Sequence, residues 1–166
     1  MKPRILAVIP VSGQDPEFRR KTPMLGGKPL TSYTFEAARA AKSLTRVVLS
    51  TDSAKIAKAG RAAGVEVPFV RSPRTRSLPM AQVLLHAVEA VETQHPSFRA
   101  DWVVRLQVTF PFREPGFIDS AVRTVLAQDL DSAFIALPEY DSFWLLTSDG
   151  TPERITTDTR LPRAKR

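Results

Sequence analysis

The stretch that decides the fold is residues 4–30, RILAVIPVSGQDPEFRRKTPMLGGKPL. Its apolar run, residues 5–9, is short, rich in branched side chains and closed by Pro10. Such a run is typical of a strand buried on both faces, as in parallel α/β sheets. A polar loop follows the run, and then the basic cluster of residues 19–21. Because ligands in open α/β sheets bind beyond the carboxyl ends of the strands, we expect this loop to form one wall of a site.

The basic cluster consists of Arg19, Arg20 and Lys21. Three adjacent cations suit a polyanion such as a nucleoside triphosphate, since arginine forks onto phosphate oxygens and lysine adds a point charge. The alternative is a solvated basic turn. The stretch is not a Walker-type loop, because GxxxxGK[ST] is absent, and Gly13 alone is weak evidence for phosphate binding.

Outward from this stretch, apolar strand-like runs alternate with helical patterns along the chain. Predicted strands are residues 5–9, 45–51, 66–70, 101–107 and 132–137; predicted helices are 29–43, one capped by Asp52 and Ser53 to about 63, 79–94 and 116–126; a hairpin covers 143–155. This alternation indicates an α/β fold, a mostly parallel sheet with helices on both faces. We expect a single domain over residues 1–166, with a polar basic tail from about 152.

Composition narrows the function classes. The 166 residues fit one domain with a sizeable core. The net charge of +7 is spread over several segments, so a nucleic-acid-binding protein is the weaker inference. Cysteine is absent and the two histidines are far apart, which excludes disulfides, thiolate catalysis and a histidine-rich metal site. No run approaches the roughly 18 apolar residues of a membrane span, and the N-terminus is unlike a secretory signal, so we expect a cytoplasmic protein.

Three polar or basic loops follow predicted strands, at residues 12–21, 71–76 and 107–113. A parallel sheet brings such loops to one edge, and we expect a cleft lined by cations with few acids. This favours binding of a triphosphate or pyrophosphate over acid–base work by paired carboxylates. The alternative is three solvated loops.

The motifs ILAVIPVSG, RRK, GGKPLTSYTFEAA, RVVLSTDS, AGVEVPFVR, HAVE, LQVTFPFR and DSAF follow in this order. In order and spacing the chain resembles the acylneuraminate cytidylyltransferase family over residues 4–137. The resemblance implies a nucleotide-diphosphosugar-transferase (Rossmann-like) fold. It also implies Mg²⁺-dependent transfer of CMP from CTP to an acidic sugar, with release of pyrophosphate.

The resemblance also assigns residues. Arg20 and Lys21 match the triphosphate-binding residues of the family pattern IPARGGSKGxxRKN, and Gln107 matches the glutamine of its QPTSPLR pattern; these three are the expected catalytic residues. The expected nucleotide-binding residues are Pro10, Val11, Ser12, Gly13, Arg20, Lys21 and Arg71. The chain departs from the pattern at several positions. These are Ser12 for arginine, Pro16 for lysine, Thr22 for asparagine, Pro79-Met80 for a serine pair, and Val108 and Phe110 for proline and serine.

The magnesium ion comes with the resemblance, but no ligand for it is assigned in this chain. The family's metal-binding aspartates lie beyond residue 166, and Asp15 and Glu17 are candidates only by proximity to the basic cluster. We expect Asp52 to cap a helix. We expect His86 to be a structural histidine. Phe143 and Trp144, if exposed, would mark the face of a homodimer.

Two further readings stay open. The first is a non-catalytic or truncated member of the same fold that binds a nucleotide or a sugar. The second is a basic nucleic-acid-binding domain, which rests on the pI near 10.2 alone. We expect CTP and an acidic sugar as partners, and neither a membrane nor a nucleic acid.

Overall fold

The computed structural model describes residues 2–72, 78–136 and 144–154. By its contacts the chain divides into two compact units, Met1–Asp131 and Ser132–Arg166. In chain order the elements are β1 (Ile5–Val11), α1 (Pro16–Arg19), β2 (Met24–Leu25), β3 (Lys28–Pro29), α2 (Leu30–Ala40), β4 (Arg46–Thr51), α3 (Ala54–Ala62), α4 (Met80–Gln94), β5 (Trp102–Arg105), α5 (Phe117–Ala127), β6 (Trp144–Leu146) and β7 (Pro152–Arg154).

Strand β1 is the middle strand of the larger unit's sheet, whose order is β4-β1-β5 with both pairs parallel. Leu6 lies between Arg46 on one side and Val103 on the other. Six of the seven β1 residues are buried. The predicted first strand is therefore confirmed, and it runs two residues further than its apolar run because Pro10 lies within it.

Alternate β1 side chains face opposite sides of the sheet, as the pleat of a strand requires. Ala7, Ile9 and Val11 pack in one buried cluster, together with side chains of α2, α3 and α5. Leu6 and Val8 pack in a second cluster with Ala87 and Val91 of α4. Helices thus cover both faces, and the predicted α/β architecture is confirmed.

The helices begin and end close to where sequence places them. In α4, Val83, Ala87 and Val91 are buried at four-residue spacing, which turns one face of the helix to the sheet. In α3 the N-cap is Ser53, whose Oγ accepts from the Ile56 amide at 3.4 Å. The prediction that Asp52 caps this helix is wrong, because its carboxylate reaches back to the loop after β1.

Two predicted strands are wrong. Over residues 66–70 only Glu66 pairs with the sheet, through a bridge to Val48. Pro68 follows two residues later, where proline has no amide to continue a ladder. Of the strand predicted over residues 132–137, residues 132–136 are exposed without strand structure, and residue 137 lies outside the described residues.

Two short elements were not predicted. Helix α1 covers four residues of the basic stretch and carries Phe18 into the core, with a proline in its first turn. Strands β2 and β3 form a small hairpin across Gly26 and Gly27, whose φ angles are 54° and 76°. Two positive φ angles are what a tight two-residue hairpin turn requires, and glycine adopts them without strain.

In the second unit, β6 and β7 pair antiparallel, which confirms the predicted hairpin within the described residues. Trp144 is 60% exposed, and Phe143 lies outside the described residues. No helix in the described part of the chain is long and apolar enough to cross a membrane. The single domain over residues 1–166 and the tail from about 152 stay predictions.

Candidate functional site

A cleft of about 320 Å³ lies beyond the carboxyl end of β1. Three segments enclose the cleft: the end of β1 with the following loop, the chain at Arg71, and the start of α4 with the residue Leu78 before it. Its lining residues are Pro10, Val11, Ser12, Gln14, Asp15, Pro16, Arg71, Leu78, Met80 and Val83. The position is the one expected for a ligand site in an open parallel sheet.

The loop after β1, residues 12–15, is called the first loop below. The carboxylate of Asp52, the residue after β4, fixes the first loop through two hydrogen bonds. Asp52 Oδ2 accepts the Ser12 hydroxyl at 2.8 Å, and Oδ1 accepts the Gly13 amide at 2.6 Å. One side chain thus fixes two consecutive residues of the loop to the neighbouring strand.

The close approach of these two segments requires glycine at position 13. A Cβ atom on Gly13 would lie 2.6 Å from the Cβ of Ser53, a separation that side chains do not tolerate. The φ angle of Gly13 is not positive, so space rather than backbone conformation sets the requirement. Gly13 therefore belongs to the construction of the cleft wall.

Two further amides of the first loop donate hydrogen bonds within the loop. The Ser12 amide donates to Asp15 Oδ2 at 3.2 Å, and the Gln14 amide donates to Ser12 Oγ at 3.2 Å. The Ser12 hydroxyl proton is committed to Asp52, so this side chain is not a free donor for a ligand. Asp15 itself is exposed and lines the cleft.

Arg71 is the cation among the described residues of the cleft lining, and only 7% of it is exposed. Its amide donates to the Thr51 carbonyl oxygen at 2.8 Å, and its Nη2 donates to the Val11 carbonyl oxygen at 3.3 Å. Its buried Nε has no hydrogen-bond partner in the part of the chain that the structure describes. A buried guanidinium with an unused donor suits an anionic ligand.

Charges around Arg71 are balanced by two carboxylates. Burial lowers the pKa of Arg71, while the charges of Asp52 and Asp15 act in the opposite direction. Burial by itself would raise the pKa of Asp52. The hydrogen bonds from the first loop and the charge of Arg71 outweigh burial, so the pKa of Asp52 lies below its ordinary value. Asp52 is therefore ionised at neutral pH.

The predicted triphosphate-binding residues Arg20 and Lys21 follow α1 and are exposed. Neither is part of the cleft lining. Within the described residues, neither makes a hydrogen bond or an ion pair, so both side chains can reorient toward an anion.

Gln107, the third predicted catalytic residue, follows β5 and is exposed. Arg113 holds its backbone: Nη2 donates to the Gln107 carbonyl oxygen at 2.7 Å, and Nη1 donates to Thr34 Oγ1 at 3.0 Å. Burial lowers the pKa of Arg113. Arg113 therefore fixes the loop after β5, and its guanidinium is occupied by hydrogen bonds within the protein.

Of the predicted nucleotide-binding residues, the structure brings Pro10, Val11, Ser12 and Arg71 together on the cleft, with Gly13 behind Ser12. Arg20, Lys21 and Gln107 lie off its lining. Of the predicted loop at residues 71–76, residues 73–76 lie outside the described residues.

Sequence reasoning named Asp15 only as a metal-ligand candidate near the basic cluster, without placing it on the cleft, and it missed the contacts that Asp52 makes with the first loop. Asp15 stands directly before Pro16 and Glu17, a pattern that signals a helix start and could have placed it at the cleft. Nothing local marks Asp52 as a partner of the first loop, because the contact joins residues about 40 positions apart.

No group of three or more His, Cys, Asp or Glu side chains that could hold a cation occurs within residues 2–72, 78–136 and 144–154. A hard cation can, however, be held by one carboxylate together with phosphate oxygens of a substrate. Among the described residues, Asp15 presents an exposed carboxylate on the cleft, whereas both oxygens of Asp52 accept hydrogen bonds from the first loop.

Comparison with known proteins identifies relatives. The chain is 36% identical over 121 residues to the CMP-N,N′-diacetyllegionaminic acid synthase of Legionella pneumophila, covering 72% of this chain and 52% of that protein. It is 31% identical over 127 residues to the N-acylneuraminate cytidylyltransferase of Escherichia coli, covering 74% and 28%. A 3-deoxy-manno-octulosonate cytidylyltransferase of Rhodopseudomonas palustris is 32% identical over 112 residues, covering 68% and 43%. The chain spans about half, or less, of the length of these relatives.

Solved structures agree with the fold. A 4-diphosphocytidyl-2C-methyl-D-erythritol synthase superposes with a TM-score of 0.67 at 13% identity, covering 94% of this chain and 70% of that one. A CMP:2-keto-3-deoxy-manno-octonic acid synthetase, solved in complex with CTP, gives a TM-score of 0.56 at 17% identity, covering 76% and 48%. These likenesses confirm the expected Rossmann-like fold.

The cytidylyltransferase family model matches residues 23–157, a span that contains Asp52, Arg71 and the loop after β5. This match covers most of the chain and confirms the resemblance to cytidylyltransferases, with Arg71 and Gln107 inside the matched span and residues 10–21 outside it. By this match the chain belongs to the cytidylyltransferase family.

Proposed function

We propose that this chain transfers CMP from CTP to an acidic sugar and releases pyrophosphate. The observation that carries the proposal is Arg71, a buried cation on the cleft with an unused Nε donor. The names of its relatives, which include CMP-sugar synthases and cytidylyltransferases for acylneuraminate and 3-deoxy-manno-octulosonate, support an acidic sugar as the acceptor. The reaction joins a sugar hydroxyl oxygen to the α-phosphorus of CTP as the bond to pyrophosphate breaks.

The cleft supports nucleotide binding by its size and its composition. Its volume of about 320 Å³ falls at the lower end of the range of roughly 300–1,000 Å³ for small-molecule sites. Leu78, Met80 and Val83 give one side an apolar surface, which suits the face of a base. Arg71, also on the lining, suits a phosphate oxygen. Phosphoryl transfer asks the protein mainly for positioning and charge stabilisation, and this arrangement supplies both.

Arg20, Lys21 and Gln107 act from outside the cleft lining in this proposal. The two cations, exposed and without internal partners among the described residues, would turn toward the outer phosphates when CTP binds. Gln107 would orient a substrate from the loop that Arg113 holds. Pro10, Val11, Ser12 and Gly13 would form the wall against which the nucleotide rests.

A magnesium ion would be held by Asp15 and the phosphates of CTP. When bound, the cation would offset charge on the phosphates and on the leaving pyrophosphate. The protein's own part is to present one exposed carboxylate at the rim of the cleft and to keep Arg71 charged beneath it.

Calorimetric titration of CTP into the purified chain, with and without Mg²⁺, tests nucleotide binding. We expect saturable binding that strengthens with Mg²⁺. Pyrophosphate release upon adding an acidic sugar then tests turnover, with a neutral sugar of the same carbon number as the control. Absence of binding at millimolar CTP would refute the proposal for this chain.

A second candidate is a nucleotide-binding protein of the same fold without turnover. It is favoured by the described part of the cleft lining, where the charged side chains are Arg71 and Asp15, while Arg20 and Lys21 lie outside the lining. This candidate predicts CTP binding at a Kd similar to that of an active enzyme, but no pyrophosphate release with any acidic sugar. The homodimer and the cytoplasmic location stay predictions.

A further inference from the structure

Asp52 is the carboxylate that organises the cleft. It stands at the carboxyl end of β4, half-buried, and accepts both the Ser12 hydroxyl and the Gly13 amide. The adjacent Ser53 caps α3, so Asp52 is not needed for that helix. Its two oxygens therefore serve the first loop.

The same carboxylate faces Arg71. The two charges act on each other, and Arg71 in turn holds the carbonyl oxygen of Val11, the residue before the first loop. Asp52 and Arg71 thus hold the chain at three consecutive residues, 11 to 13. Removing Asp52 would release Ser12 and Gly13 and leave Arg71 with less opposing charge.

We infer that Asp52 is a positioning residue for CTP binding, acting through the first loop and Arg71 without touching the nucleotide. The inference rests on the proposed function, because it concerns the same cleft. The inference predicts the direction in which CTP affinity changes. A carboxylate near a phosphate site repels the ligand, so loss of its negative charge alone would tighten CTP binding. A positioning role predicts the opposite.

The structure offers a matched control in Asp119. Its carboxylate also accepts a serine hydroxyl and the amide of the same residue, Ser43, at 2.6 and 2.8 Å, and the Lys42 amide at 3.1 Å. This tie lies before β4, at the end of the sheet opposite to the cleft. Asp119 variants therefore report the cost of losing such a tie without any effect on the first loop.

The experiment compares Asp52→Asn and Asp52→Ala with Asp119→Asn and Asp119→Ala, measuring Tm and the Kd for CTP. We expect Asp52→Ala to weaken CTP binding about tenfold, the equivalent of one hydrogen bond to a charged group. Asp52→Asn should weaken it about threefold, because the amide oxygen still accepts from Gly13. Both Asp119 variants should lower Tm similarly and leave the Kd unchanged.

Two further measurements sharpen the test. Ser12→Ala should weaken binding in the wild-type chain but add little in the Asp52→Ala background, since both changes break one contact. Amide hydrogen exchange of residues 12–15 should accelerate in the Asp52 variants and not in the Asp119 variants. If Asp52→Ala fails to fold, Asp52→Asn carries the comparison alone.

The outcomes separate the two levels of the argument. Tighter CTP binding in Asp52→Asn, or a Kd equal to that of Asp119→Asn, overturns the inference and leaves the proposed function standing. A wild-type chain that binds no CTP overturns the proposed function, and the inference with it.

Discussion

Replacing Arg71 with methionine removes the cation that the described residues contribute to the cleft lining, while keeping most of the side-chain volume. In the folded chain this guanidinium spends Nη2 on the Val11 carbonyl oxygen and leaves its buried Nε unpaired among the described residues. Arg71→Met should therefore have two effects that can be measured separately, one on folding stability and one on CTP affinity.

The effect on CTP binding should be the larger one. A hydrogen bond between charged partners contributes about 1.5–3 kcal/mol, so losing the contact from Arg71 to a phosphate should raise the Kd about 10- to 150-fold. The lost contact with the Val11 carbonyl oxygen is worth about 0.5–1.5 kcal/mol of folding stability. Removing a charge that burial disfavours offsets part of that loss. We therefore expect a Tm decrease of only a few degrees.

The assay is calorimetric titration of CTP at fixed ionic strength, with thermal unfolding measured on the same samples. Arg46→Met is the control, because Arg46 is also largely buried and pairs with Glu66 at 2.6 Å, but at the amino end of β4. It should lower Tm and leave the Kd unchanged. If Arg71→Met binds CTP within twofold of the wild-type Kd, Arg71 serves only to balance nearby carboxylates, and the reasoning is refuted.

Three other perturbations have defined outcomes. Gly13→Ala should lower the free energy of unfolding by about 1–3 kcal/mol, because the new Cβ lies 2.6 Å from the Cβ of Ser53. Adding Ser53→Gly to this variant should restore most of the lost stability, as measured by chemical unfolding. Asp15→Asn should tighten metal-free CTP binding about threefold, because it removes a negative charge from the lining, and it should shrink the gain from Mg²⁺ in the same titration. The hydrogen bond from the Ser43 hydroxyl, with those from nearby amides, lowers the pKa of Asp119. The Asp119 carboxylate therefore stabilises the fold fully at pH values above its ordinary pKa near 3.8, and this stabilisation is lost as the pH falls through the lower pKa of the folded state. Asp119→Asn should therefore make stability less dependent on pH in acid unfolding, followed by circular dichroism.

Each of these has a contrary result. Unchanged stability in Gly13→Ala would mean that the first loop moves away from β4 without cost. Glu17→Gln removes the same charge as Asp15→Asn from a residue of α1 outside the cleft lining. Equal tightening by both would show that only net charge matters. Parallel acid-unfolding curves for wild type and Asp119→Asn would contradict the direction of the pKa shift.

The alternating pattern of the chain was sufficient to predict the α/β fold. Periodic apolar positions such as those of α4, and short branched runs such as that of β1, are local signals. The failures at residues 66–70 and 132–137 have another cause. A run of apolar residues becomes a strand only when neighbouring backbone groups pair with it, and that pairing is decided by distant parts of the chain. The hairpin across Gly26 and Gly27 had a local signal, two glycines between short apolar flanks, that was not used.

The site was predictable to the extent that its residues follow strands. Val11, Ser12 and Arg71 were placed near one edge by that rule, and the structure brings them to one cleft. The burial of Arg71 could not be read from a loop rich in arginine, because burial depends on the walls that Val11 and α4 provide. The role of Asp52 was hidden for a similar reason, since a carboxylate before a serine resembles a helix cap.

The central position of β1 has a consequence for how the chain is made. At the amino end of the sheet, Ile5 meets Thr45 40 residues later on the β4 side, and Arg4 meets Asp101 97 residues later on the β5 side. At translation rates of about 5–20 residues per second, the second edge of β1 stays open for roughly 5–20 s after the strand has been synthesised. The cleft-lining residues within the described part of the chain lie between positions 10 and 83, ahead of β5. A nascent chain therefore carries these lining residues while an apolar strand still presents an unpaired edge, and during that interval a chaperone or a bound nucleotide would protect it most.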